Sequence, residues 1–135
     1  MAVILLVGLD GPTLEGIAQT LGAVGHTPLL AQTVAEAAEL AATGAPLVAV
    51  IDREVAITSA DAFRLPLAPG GAIVLFRTAA DAATPLSASL QRAVLADLTL
   101  PLERKRLVAL VQHVEERARA AGRDRVRTPP EHRAY

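Results

Sequence analysis

The sequence predicts an α/β domain: a parallel sheet with helices packed on both faces. Three observations predict it. The runs Ala2–Val7, Leu47–Ile51 and Ala72–Phe76 are uninterruptedly apolar, as strands buried on both sides must be. Between them lie stretches whose apolar residues recur at helical spacing. The joints are short and marked by Gly and Pro, which favours right-handed βαβ units over hairpins.

Strand one covers residues 2–7 and ends at Gly8-Leu9-Asp10-Gly11-Pro12. Pro12 suits the first turn of a helix, and Leu14, Ile17, Ala18, Leu21 and Val24 mark its buried face before Gly25 stops it. His26 to Ala31 is a short strand two. Thr33-Val-Ala-Glu36 has capping-box spacing and opens helix two, which runs through alanines to Gly44. Strand three, Pro46 to Asp52, is the anchor: five apolar residues that deliver a carboxylate to an edge. In open parallel sheets, ligands and chemistry collect beyond the carboxyl ends of the strands, so Asp52 either does chemistry or caps the segment after it.

Residues 53–71 are the least regular. A turn or two of helix fits Ser59 to Leu65, but Pro66, Pro69 and Gly70-Gly71 end it, so helix three is expected to be short or distorted. Strand four, Ala72 to Phe76, brings Arg77 and Thr78 to the edge that holds Asp52. Thr84-Pro85 can start helix four, which continues to about Leu95. Ala96 to Leu100 is a weaker strand five, followed by Pro101. From Leu102, the residues Leu107, Leu110, Val111, Val114 and Ala118 face the core from a final helix expected to end near Gly122. The organisation is therefore one domain over residues 1–121 and a basic, flexible tail over 122–135.

Bulk properties narrow the function. No cysteine is present, which removes disulfides and thiolate metal sites and suits a reducing cytoplasm. The opening apolar run lacks a basic leader and is too short to span a bilayer. Up to Leu102 there are four arginines against nine acids, and from Glu103 onward nine Lys and Arg against five acids. A basic helix without interleaved aromatics reads as a solvated face rather than a nucleic-acid footprint. His26, His113 and His132 share no metal-ligand spacing and read as surface or edge residues. Gly8-Leu-Asp-Gly11 lacks the further glycines or the Gly-Lys-Ser/Thr of a phosphate cradle. Ser87 and Ser89 have no adjacent His to activate them, so nucleophilic catalysis is unsupported and no enzyme is predicted.

Five βα units, an acid ending strand three, a Thr ending strand four and a Pro after strand five resemble a response-regulator receiver domain (CheY-like) over residues 2–121. The resemblance implies a flavodoxin-like (βα)5 fold with a five-stranded sheet in the order 2-1-3-4-5. It places Asp52 at the phosphoacceptor position, Thr78 (or Arg77, if the register slips) at the switch position, and Pro101 at the proline of the family's Lys-Pro pair. Gly25 matches a glycine that often closes helix one.

The departures from that pattern point to a degenerate, pseudo-receiver variant. Gly8 and Leu9 stand where two adjacent acids would hold magnesium, and only Asp10 remains, one place late. Leu100 replaces the phosphoryl-pairing lysine, and Asp97 replaces a toggling aromatic. Phosphoryl transfer to a carboxylate needs its charge neutralised, so these losses leave a high barrier. Asp10 and Asp52 leave room for a weak magnesium site, the sole cofactor expected. Arg77 either points to solvent or pairs with Asp52 and fixes one signalling state.

The expected function is a stand-alone signalling module of a two-component or phosphorelay pathway, with impaired phosphorylation, acting through protein contacts. One alternative is a magnesium-dependent phosphoaccepting receiver that uses Asp52. Another is a flavodoxin-like ligand-binding domain or enzyme using the edge near Gly8, Asp10 and Asp52. The expected partners are a histidine kinase, a downstream effector, or a second copy docked through helix four, strand five and helix five. Asp97, Arg104, Lys105, Arg117 and Arg119 lie on that face, where the cations suit an acidic partner.

Overall fold

The computed structural model describes residues 2–78, 87–100 and 103–132, with the backbone alone at residue 60 and over 122–132. Its elements alternate along the chain: β1 (Val3–Val7), α1 (Gly11–Ala23), β2 (Thr27–Ala31), α2 (Val34–Gly44), β3 (Val48–Asp52), α3 (Arg53–Thr58), a 3-10 turn (Ala60–Arg64), β4 (Ala72–Thr78), α4 (Ala88–Ala93), β5 (Ala96–Leu100) and α5 (Arg104–His132). The strands form one parallel sheet in the order β2-β1-β3-β4-β5. This is the flavodoxin-like winding, with β3 in the centre.

Alternation along each strand splits the core into two layers. Ile4, Leu6, Val48, Val50, Val74, Phe76, Leu98 and Leu100 pack against Leu14, Ile17 and Leu21 of α1 and Leu107, Val111 and Val114 of α5. On the other face Leu5, Val7, Ala49, Ile51, Ile73 and Leu75 pack against Ala37 and Ala41 of α2 and Val55 and Ala56 of α3. Each fully buried Leu or Ile contributes about 1.5–3 kcal/mol relative to exposure. The alanine face of α2 lets that helix approach the sheet closely.

Local chemistry sets the helix ends. Helix α1 closes in a Schellman arrangement: His26 N donates to Leu21 O and Gly25 N to Gly22 O, with Gly25 at φ +94°. At the start of α2 the Thr33 hydroxyl accepts from Glu36 N at 3.0 Å, and Glu36 reaches back to Gln32 N at 2.8 Å. The spacing predicted this reciprocal cap, with the return bond one residue earlier than the usual box.

Several expectations are corrected. Helix three does not wait until Ser59. It starts at Arg53, directly after the strand, because the Asp52 carboxylate caps it in place of a loop. Ser59 is extended, and the predicted Ser59–Leu65 turn is the 3-10 segment. Strand β4 runs two residues past Phe76, since Arg77 and Thr78 pair with Thr99 and Leu100. The described part of α4 is capped by the Ser87 hydroxyl and ends at Ala93, short of Leu95; its predicted start at Thr84-Pro85 lies outside the described residues. Helix α5 does not stop near Gly122 but continues to His132. One interior glycine costs about 1 kcal/mol, too little to end a helix flanked by alanine and arginine. His26 is buried rather than at the surface, and its Nδ1 accepts from Ala2 N at 3.2 Å.

Candidate functional site at the carboxyl edge of the sheet

The parallel winding sends the carboxyl ends of β1, β3, β4 and β5 to one edge, where the predicted site residues lie. Asp52 ends the central strand, half-buried, and its Oδ1 accepts from Glu54 N at 2.9 Å. Capping is therefore one of its roles. In the register of β3 and β4, Asp52 lies opposite Phe76, and Thr78 stands two residues further, opposite Leu100. The edge thus brings Asp52, Thr78 and Leu100 together on neighbouring strand ends. Pro101 lies outside the described residues.

The end of β1 brings Gly8 close to Asp52. Gly8 is buried, and a Cβ there would lie 3.2 Å from Leu14 Cδ2, 3.4 Å from Asp52 Cβ and 3.5 Å from Phe76 Cζ. A carboxylate at this position would sit between an aromatic ring, a leucine and another carboxylate. Leu9, where the resemblance places a second acid, is 71% exposed. Asp10 is exposed at the N-terminus of α1, and its Oδ2 accepts from the Thr13 hydroxyl. Among the described residues no group of three or more His, Cys, Asp or Glu gathers where a metal could sit. Magnesium keeps near-ideal octahedral geometry and strips water reluctantly, so this donor set is a poor fit for it.

No cation occupies position 100, where the resemblance places a lysine. Leu100 is 3% exposed and belongs to the core layer under α1 and α5. Arg77 turns to its cross-strand neighbour, its Nε donating to Thr99 Oγ1 at 3.4 Å, and among the described residues no ion pair joins it to Asp52. Thr99 and Glu103 clamp the end of β5 to the start of α5: Thr99 N donates to Glu103 Oε2 at 2.7 Å, and Glu103 N to Thr99 O at 2.8 Å. The Thr99 N–H, and after it the Arg106 hydrogen bond, hold the Glu103 carboxyl below its ordinary value, with the charges of Arg106 and Arg77 adding to them.

A second charged pair, not anticipated from the sequence, lies beside Asp52. Arg53 Nε is 3.3 Å from Asp97 Oδ2, with side-chain exposures of 8% and 28%. Arg53 Nε and Asp97 Oδ1 are buried and make no hydrogen bond among the described residues. The pair ties the first residue of α3 to the second residue of β5. Asp97 therefore does not stand alone on an interaction face. The sequence signal was the acid itself: a lone carboxylate in the apolar strand Ala-Asp-Leu-Thr-Leu requires a partner.

The four cations expected on the interaction face, Arg104, Lys105, Arg117 and Arg119, do not form one patch. Arg104 borders a cleft against α1, whereas Arg117 lies with His113 and Leu95 on the opposite flank. Arg119 is within 3.6 Å of Glu115, and Lys105 is exposed. No helix among the described residues is long and apolar enough to cross a membrane.

Solved structures match this architecture. A signal receiver domain from Vibrio parahaemolyticus superposes with a TM-score of 0.71 at 16% identity, over 93% of this chain and 97% of that one. The chain has the receiver-domain fold. Within that fold, NtrX from Brucella abortus matches with a TM-score of 0.70 at 18% identity over 90% of this chain, which spans only 28% of NtrX. The pseudo-receiver domain of CikA matches with a TM-score of 0.63 at 15% identity, over 84% of this chain and 97% of that domain. No protein-family model and no curated protein matches the sequence.

Proposed function

We propose that this chain is a receiver-fold signalling module of a two-component or phosphorelay pathway whose phosphoryl chemistry is impaired, and which works in the cytoplasm through contacts with other proteins. The observation that carries this reading is the surroundings of Asp52. Gly8 is packed between Leu14 and Phe76, and a buried Leu100 occupies the position opposite Thr78. Phosphoryl transfer to a carboxylate depends on a metal and fixed cations to offset the charge that builds up. Asp10 and Asp52 offer magnesium two carboxylates at most, and binding is expected to be weak.

Supporting the signalling part of the reading are the receiver fold itself and the position of Asp52 at the carboxyl end of the central strand. A kinase, an effector or a second copy is the expected partner, met by the flank of α4, β5 and α5. The test is magnesium-dependent labelling of the intact chain with a small-molecule phosphoryl donor, read by mass. No phosphoryl adduct at Asp52 is expected. Stoichiometric labelling that Asp52→Asn abolishes would replace this reading with a phosphoaccepting receiver.

A further inference from the structure

Between α1 and α5, at the same edge of the sheet, lies a cleft of about 250 Å³. Ile17, Leu100 and Leu107, core residues with little exposed surface, form its apolar floor, Thr78 lines it, and the exposed Arg104 borders it. Gly16 adds no side chain to it, and a Cβ there would meet nothing within 4 Å. The cleft is half open to solvent and has room for one ring or a short alkyl chain lying along it. An apolar group lying in it would cover apolar surface that is otherwise wet.

The polar groups around the cleft fix the charge of its occupant. The Thr20 hydroxyl donates to Gly16 O and the Thr13 hydroxyl to Asp10, so both are already engaged. Arg104 has no hydrogen-bond or ion-pair partner among the described residues. A guanidinium next to an apolar cleft is suited to a planar carboxylate.

We infer that this cleft binds a small amphipathic carboxylate, its apolar body against Leu100 and Leu107 and its carboxylate on Arg104. Resting on the pseudo-receiver reading, the ligand takes the part that a phosphoryl group would otherwise play. Thr78 and Leu100 line the cleft and face each other across β4 and β5. Those are the switch position and the position of the lost lysine, so an occupant touches both without any chemistry at Asp52.

The test is an amide NMR titration of the intact chain with octanoate, and with 1-octanol as its uncharged counterpart, in the absence of magnesium and of any phosphoryl donor. Octanoate should give saturable shifts at Ile17, Thr78, Leu100 and Leu107, and should bind about tenfold or more tightly than octanol, as a charge-assisted hydrogen bond implies. Arg104→Gln should bring octanoate down to the octanol level and leave octanol unchanged. Gly16→Leu, which fills the cleft, should abolish both without lowering the melting temperature. Silence at these residues, or equal binding of the two probes that Arg104→Gln does not alter, overturns the site. Because no phosphoryl donor is present, that failure is separate from failure of the pseudo-receiver reading, which only labelling of Asp52 would bring about. Octanoate binding alongside efficient labelling would refute the substitution of ligand for phosphoryl group.

Discussion

The Arg53–Asp97 pair gives the sharpest test of the energetics at this edge. Its two charges are removed from water to different degrees, 8% and 28% exposed, and their contact leaves Arg53 Nε and Asp97 Oδ1 without hydrogen bonds. Desolvation therefore offsets most of the Coulombic gain, and the pair adds little net stability. Removing one partner is a different matter. Asp97→Leu strands a buried guanidinium and should cost about 3 kcal/mol. Arg53→Met leaves a carboxylate that can still reach water and should cost about 1–2 kcal/mol. The double variant restores an apolar contact and should end within about 1 kcal/mol of the parent, or above it. Urea denaturation of the four proteins closes the cycle. If the double variant loses the sum of the two single losses, the residues are uncoupled and the pair has no structural role.

Three further perturbations probe neighbouring contacts. Asp52→Ala removes the cap on α3 and should cost about 1 kcal/mol, while Asp52→Asn keeps an accepting oxygen and should cost almost nothing; equal losses in thermal melts would show that capping is not what the side chain contributes. Glu103 titrates below its ordinary value in the folded chain, so its contribution to stability is present above the unfolded pKa and is lost as pH falls through the lower folded one. Glu103→Gln should accordingly flatten the acid limb of a pH–stability curve, and an unchanged limb would refute the clamp to Thr99. His26→Ala leaves the buried Ala2 N–H without its acceptor and should cost about 1–3 kcal/mol in urea titrations, whereas a surface histidine would cost nothing.

The strands were legible because each satisfies a local rule. Doubly buried strands must be apolar throughout, and β1, β3 and most of β4 are recognisable from that alone, as is the Thr33 cap from its spacing to Glu36; β5, interrupted by Asp97 and Thr99, is the weaker signal. What escaped depends on contacts distant in the chain. Arg53 precedes Asp97 by 44 residues, and nothing local announces that the chain folds them together. Arg77 meets Thr99 only through the register of β4 with β5. His26 is buried because the start of β1 runs beside it and needs an acceptor for Ala2 N. Capping by Asp52 was one of the two roles its position offered, but nothing in Arg53–Thr58 marks a helix that begins at once after the strand. Of the site, Asp52, Thr78 and Leu100 could be placed by resemblance. The cleft under Arg104 could not, since it arises from the separation of two helices.

The central claim is that the edge around Asp52 no longer works as a phosphoryl switch, and an amide NMR titration with magnesium, then with beryllium fluoride, tests it most directly. The account predicts no saturable shifts at Asp10, Asp52 or Thr78 at millimolar magnesium, and none on adding the phosphoryl mimic. Shifts that cluster on those residues and spread into α4 and α5 would contradict it and show that a working phospho-switch survives.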